Sequence, residues 1–331
     1  MPHLTRRALP ALAASVLAAP AAVSTAVAQP RFPDRPITII VPFAAGGPTD
    51  TVARLVAEAM GRDLGGTVVV ENVGGAGGTL GAQRTAQARP DGYTLLVHHI
   101  GMSTIPTLYR RLAYDAVNGF ETVGLITEVP MTIVGKRGIQ ANNLQELVAL
   151  VRRERDRINL ANAGVGAASH LCGLLFQSAL NVPLTTVPYR GTGPAMNDLV
   201  AGTVDLMCDQ TTNTTEQIRA GTIRAFAVTT NQRVAALADL PTANEAGLPN
   251  FEVSVWHGLY APRNTPAEIV NRLSQALQAA LRDPGLVRRF ADLGTEPVAQ
   301  DRATPAAHRQ FWEADIARWR PIIQAAGQFA D

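Results

Sequence analysis

The 331-residue chain predicts an α/β protein of two lobes, joined by two crossing strands, with a ligand cleft between them. Three observations carry that prediction. Short β-branched runs alternate with helical periodicity as β-α-β-α-β, and a second unit of similar style follows the first. Glycine-rich turns join strand to helix in both units. Two extended runs, "FETVGLITEVPMTIVGKRG" (120–138) and "FEVSVWHGLYAP" (251–262), are longer than one strand needs, and they separate the units.

The elements follow in order. "PITIIVPF" (36–43) reads as a buried strand and "AAGGPTD" as a turn. Val52, Leu55, Val56, Ala59 and Met60 then recur at helical spacing, with Thr49 or Asp50 as N-cap and Gly65-Gly66 as the stop. "TVVVENV" is the next strand, "GTLGAQRTAQA" the next helix, and "YTLLVHHI" the third strand, which argues for a parallel, helix-covered sheet. "NNLQELVALVRRERD" is a helix opened by Asn142 or Asn143. The second unit runs through "INLANAGVGAASHLCGLLFQSAL", "LTTVPYRGTGPAMNDLVAGTVDLMCDQ" and "IRAFAVTT". The remainder is mostly helical: "PAEIVNRLSQALQAALRD", "PGLVRRFADLG" and "PAAHRQFWEADIARWRPIIQAAG". The lobes are expected at 31–127 plus 255–331, and at 128–254.

Residues 1–28 read as an export signal, with a charged start, an Ala/Leu/Val middle and "AVA" before a cut at Gln29. Arg6 and Arg7 fit a twin-arginine route as well as the ordinary secretory one. The expected compartment is the periplasm. Losing the signal removes two arginines and no acid, so basic and acidic residues balance at 27 each. With no Lys/Arg block, nucleic-acid binding is excluded. No later run of some twenty apolar residues predicts insertion into a membrane. Cys172 and Cys208, in an oxidising compartment, are either a disulfide or two buried thiols.

Gly75, Gly77 and Gly81 approach a dinucleotide fingerprint, but the next strand ends at His98 and His99 instead of a carboxylate, and no G-K-[ST] occurs. No nucleotide cofactor is expected. What survives is backbone N–H groups at helix N-termini, suited to a small anion. Such glycine loops occur at 43–50, 73–80 and 162–170, with a fourth at 189–195. Catalysis finds no support. There is no G-x-S-x-G around Ser103 and no H-E-x-x-H, and adjacent His98 and His99 point to opposite strand faces. His170 reads as a helix-start residue. Asp205 and Asp209 share one face of a strand, and solvated carboxylates at a strand end explain them. The chain reads as a binder without cofactor or metal.

The segments "RPITIIVPFAAGGPTDTVARLVAEAM", "VVVENVGGAGGTLGAQRTAQARPDGYTLLV", "LYRRLAYDAVNGFETVGLI", "VPYRGTGPAMNDLVAGTVDLMCDQ" and "LPTANEAGLPNFEVSVWHGLYAP" resemble the Bug family of periplasmic solute-binding proteins. These are the TctC-like receptors of tripartite tricarboxylate transporters. The resemblance implies a type II periplasmic-binding fold that closes like a Venus flytrap. It also implies a monomer that hands a small carboxylate to a membrane permease. The ligand class it implies is a di- or tricarboxylic acid, an acidic amino acid or an aromatic acid.

In such proteins one carboxylate is gripped by two loops. The first matches Phe43, Ala44, Ala45, Gly46, Gly47, Pro48, Thr49 and Asp50; the second matches Gly75, Ala76, Gly77 and Gly78. The second lobe adds Gly164, Val165, Gly166, Ala167 and Ala168, then Tyr189, Arg190, Gly191 and Thr192, and Asp209. Ala167 and Ala168 stand where the family usually carries hydroxyls, which implies a less polar distal group, with His99, Tyr189 and Arg190 as expected substitutes. For Arg190 the alternative is a surface ion pair. A sensor presenting the same ligand to a membrane kinase would share the fold and the cleft.

Overall fold

The computed structural model describes His3, residues 32–327, Phe329 and Ala330. The export signal with Arg6 and Arg7 lies outside the described residues. From Phe32 onward the chain forms one compact unit.

The first unit of the pattern folds as read. Strand β1 (Ile37–Val41) leads into α1 (Pro48–Leu64), then β2 (Val68–Asn72), α2 (Thr79–Ala86), β3 (Thr94–His99) and α3 (Gly101–Leu108). β1 pairs in parallel with both β2 and β3. Ile37, Ile39 and Val41, with Leu95, Leu96 and Val97, are fully buried, as a strand covered on both faces requires. The cap of α1 differs from the expectation. Gly47 is the N-cap and Pro48 opens the helix, because proline's fixed φ and missing N–H suit that position. Gly65, at φ +64, ends it as foreseen.

The first long run is a single strand, β4 (Phe120–Lys136). Next come α4 (Leu144–Glu154), capped by Asn143, whose side chain accepts from Glu146 N at 2.8 Å, then β5 (Asn159–Asn162) and α5 (Ala168–Leu180). β6 (Thr185–Pro188), α6 (Thr192–Ala201), β7 (Leu206–Gln210), α7 (Thr211–Arg219) and β8 (Ile223–Val228) complete the second unit. β9 (Ser254–Pro262), α8 (Ala267–Ala280), α9 (Pro284–Asp292), the two-residue β10 (Glu296–Pro297) and α10 (Pro305–Ala326) follow.

The sheet runs β2-β1-β3-β9-β4-β7-β5-β6, with β8 and β10 also on β4. It is mixed and not parallel throughout. The β5–β6 and β5–β7 pairs are parallel, whereas β9 and β4 run antiparallel to each other and to their neighbours β3, β7 and β8. β4 is the long strand that carries pairings of both halves of the sheet, whereas β9 pairs with β3 and with residues 120–130 of β4. β4 changes partners along its length. Residues 120–130 pair with β9 and residues 131–136 with β7 and β8, with register shifts at Thr122/Gly124, Leu125/Thr127 and Ile133/Val134. Against this frame α8, α9 and α10 bury Leu273, Leu277, Phe290 and Trp312. Among the described residues no helix is long and apolar enough to cross a membrane.

Candidate functional site

Four helices begin at one narrow cavity. Its wall carries Gly47, Pro48 and Thr49 at the start of α1, Ala168 and Ser169 at the start of α5, Thr192 at the start of α6, and Asp209 and Gln210 just ahead of α7. Phe43, His99 and Ala163 complete it. None of these four helices has a side-chain cap: the N-caps are Gly47, Ala167, Gly191 and Gln210, and none accepts a first-turn N–H through its side chain. Elsewhere α4, α9 and α10 are capped by Asn143, Asp283 and Thr304, while α2, α3 and α8 have no side-chain cap either, so what sets the four apart is that their N-termini meet. First-turn N–H groups have no partner inside their helix, so four sets of donors and four positive dipole ends meet at one place. No Lys or Arg lines the cavity. The positive potential comes from the backbone.

The acid on this wall is Asp209, 1% exposed. Solvated carboxylates at this strand end are not what the structure has. β7 is flanked by β4 and β5, and α7 starts at once, so the strand end is roofed over. Burial pushes the Asp209 carboxyl up to about 6, against hydrogen bonds from Asn213, the Gln210 backbone and Thr192. Asn213 Nδ2 donates to Oδ2, while Oδ1 has no partner. Gln210 Oε1 is also unpartnered. Asp205, in contrast, is tied to Lys136 at 2.6 Å and to Asn159 N at 2.9 Å.

Phe43 and His99 give the cavity an aromatic and imidazole face, and His257 packs beside His99 without lining it. His99 stacks on Phe43 at 4.7 Å and its Nδ1 accepts from Gly101 N at 3.0 Å. His257 Nε2 is 3.3 Å from Thr49 Oγ1. Burial holds both rings neutral, His99 down at about 3 and His257 well below the usual range. His98 turns away against Phe43 and His99, and does not line the cavity. His170 Nδ1 accepts from Gly166 N at 3.3 Å, a helix-start role.

The residues singled out from the sequence fall into three groups. Phe43, Gly47, Pro48, Thr49, His99, Ala168, Thr192 and Asp209 line the inner cavity. Gly75, Ala76, Gly77, Gly164, Val165, Tyr189 and Arg190 line a separate outer groove with Tyr109 and Ala330. Ala44, Ala45, Gly46, Asp50, Gly78, Gly166, Ala167 and Gly191 line neither. Several of these hold the loops in shape. Asp50 accepts from Gly46 N (3.0 Å), Arg54 Nε (2.9 Å) and Asn72 Nδ2 (2.9 Å), and Ala44 N donates to the Arg190 carbonyl (2.9 Å). Burial would raise the Asp50 carboxyl, but these donors outweigh it and hold it low. Tyr189 donates to Asp198 at 2.6 Å, and the exposed Arg190 side chain has no ion pair among the described residues.

Glycine is required where the loops meet. A Cβ on Gly77, at φ +60, would sit 1.9 Å from the Val165 carbonyl oxygen, and one on Gly193 would sit 2.6 Å from the Ala45 carbonyl oxygen. Cys172 on α5 and Cys208 on β7 are bonded, their Cα atoms 5.9 Å apart, so the disulfide ties together two elements that carry cavity residues. Gln210 was not singled out as a site residue, and Ala163 and Ser169 only as members of the 162–170 loop. Ser169 directly follows Ala168, and Gln210 directly follows Asp209 at a strand–helix junction. That adjacency was the available signal. Among the described residues no group of three His, Cys, Asp or Glu is placed to hold a metal.

Residues 52–328 match the model of the tripartite tricarboxylate transporter family receptor, TctC. A UPF0065 protein in the TAR-I ttuE-ttuC' intergenic region of Agrobacterium vitis is 54% identical over 92% of this chain and 88% of its own length. The structure of the periplasmic binding protein BugD superposes with a TM-score of 0.88 at 50% identity, covering 91% of this chain and 100% of that one. MatC from Rhodopseudomonas palustris, solved with bound malate, gives a TM-score of 0.84 at 41% identity, over 88% and 100% of the two chains.

Proposed function

This chain belongs to the TctC receptor family of periplasmic solute-binding proteins, and from that premise we propose that it captures a small dicarboxylate carrying a hydrogen-bond donor. The observation that carries the reading is the meeting of four uncapped helix N-termini on a cavity without a basic side chain. Such a cradle takes an anion through N–H groups. Asp209 Oδ1 and Gln210 Oε1 would face an anionic ligand unfavourably unless it offers a donor. A hydroxyl or ammonium next to the carboxylate supplies one, and malate, the ligand in MatC, has such a hydroxyl. Ser169, Thr192 and Gln210 make the distal wall more polar than Ala167 and Ala168 imply, which favours a second polar group on the ligand.

Capture works by closure. The inner cavity has room for about one water molecule, so a dicarboxylate enters only when the loops part. The two lobes, residues 31–127 with 255–331 and residues 128–254, move about β4, which exchanges β9 for β7 and β8 near Pro130. Ligand touching both lobes stabilises the closed form by its differential affinity. The protein acts in the periplasm without catalysis, after export by the segment 1–28, and the closed form docks on a transporter permease.

The test is a thermal-shift panel of mono-, di- and tricarboxylates, aromatic acids and acidic amino acids, with malate and succinate as a matched pair. Ligand at a hundred times its Kd adds about 2.7 kcal/mol, a shift of several degrees. The reading predicts a larger shift with malate than with succinate, which lacks the hydroxyl. A flat panel on folded, ligand-free protein overturns it.

A further inference from the structure

Two hydroxyls, Thr104 on α3 and Tyr109 just past its end, contact the loops beside the inner cavity without lining it. Thr104 Oγ1 lies 3.1 Å from the Gly101 carbonyl of its own helix and 3.3 Å from the Gly166 carbonyl. The Tyr109 hydroxyl, just past the end of α3, sits 2.8 Å from the Ala76 carbonyl and 2.9 Å from the Val165 carbonyl. Ala76 belongs to the loop after β2, whereas Val165 and Gly166 belong to the loop between β5 and α5. The single phenol proton is thus shared as a three-centre bond between carbonyls of two loops from opposite halves of the sheet order.

The backbone is shaped to allow it. Ala76 takes φ +46, a conformation rare outside glycine, and turns its carbonyl to Tyr109. Gly77 lets the Val165 carbonyl approach, and Gly166, at φ +82, leaves space that a Cβ would take from Leu108 at 2.6 Å. From behind, Ala330 N donates to the Leu108 carbonyl (2.8 Å) and Arg110 N donates to the Ala330 carbonyl (3.1 Å). The chain on both sides of Tyr109 is thereby pinned.

We infer that Tyr109 and Thr104 are positioning residues for ligand capture, a latch on α3 that holds the 162–167 loop against the 73–80 loop once the cleft has closed. The inference rests on the closure reading above. Neither side chain lines the inner cavity, so the latch acts on the open–closed balance and leaves the ligand's own contacts intact. A net hydrogen bond is worth about 1 kcal/mol, or roughly a fivefold change in an equilibrium constant.

The test compares wild type, Tyr109→Phe and Thr104→Val in stopped-flow and calorimetric titration with malate. Each variant is expected to weaken binding about fivefold, through faster release at an unchanged association rate. Wild-type affinity and release rate in Tyr109→Phe overturn the latch, as does weakening confined to the association rate. Thr104→Val carries the same test if the tyrosine variant fails to fold. If wild type binds no acid, the proposed function fails, and solution scattering still decides the latch. A larger radius of gyration for Tyr109→Phe than for wild type supports it; an identical one overturns it.

Discussion

Replacing Asp209 by asparagine should stabilise the protein at neutral pH while weakening ligand capture. The carboxyl is 1% exposed, one of its oxygens is unpartnered, and burial raises it to about 6 from an ordinary 3.8. A carboxyl raised on folding favours the native state only while it is protonated. Between pH 3.8 and 6 the folded chain keeps a proton that the unfolded chain has released, so stability falls as pH rises through that window and stays lower above it. A rise of about two units corresponds to roughly 3 kcal/mol as an upper bound. Asparagine keeps the shape and an acceptor for Asn213 but carries no charge to desolvate. Urea unfolding read from pH 4 to pH 8 is the assay. Asp209→Asn should exceed wild type by about 1–3 kcal/mol at pH 7.5, with the difference shrinking towards zero at pH 4. A difference that does not vary with pH, or a less stable variant at pH 7.5, refutes the reasoning. The cost appears in binding, as expected of an acid kept at a site for function.

Three further outcomes follow from the same geometry. Gly77→Ala should weaken malate binding more than tenfold by calorimetry, because its Cβ would meet the Val165 carbonyl at 1.9 Å; Gly65→Ala, at a similar φ of +64 with open space around it, should cost about 1 kcal/mol of stability and leave binding unchanged. Reducing or removing the Cys172–Cys208 bond, which spans 36 residues, should lower unfolding free energy by about 4 kcal/mol, read as a melting shift with and without reductant. Asp50→Asn should loosen the first loop by about 1–3 kcal/mol at pH 7 and lose that difference below the carboxyl's depressed pKa, where wild-type Asp50 is protonated too.

Much of this was legible in the chain. The apolar β-branched runs at 37–41 and 94–99 could only be buried strands, and the spacing of Val52, Val56 and Met60 puts all three on the buried face of α1, fully out of solvent. Glycine loops at strand ends pointed to backbone anion binding, and the inner cavity is built from three such loops. Other features had no local signal. Helix α7 opens "TTNTTEQIR", four β-branched threonines in nine residues; it is helical because Gln210, Gly294 and Leu293 carbonyls take the hydroxyls of Thr214, Thr211 and Thr215. Helix α3, with Pro106 inside, holds through packing on α10 and Trp312 Nε1 donating to the Met102 carbonyl. Tertiary contact overrode propensity in both. The division of the glycine loops between an inner cavity and an outer groove depends on how loops distant in sequence interlock, which periodicity does not encode.

The central claim is that a cradle of backbone donors, with no basic side chain, captures an acid by its negative charge. Calorimetric titration of the purified protein with malate and with its uncharged diamide tests it most directly. Malate is expected to bind with micromolar affinity, about −8 kcal/mol, and the diamide at least a hundredfold more weakly. A diamide that binds as tightly as the acid, or no heat from malate or any acid of the panel, contradicts it.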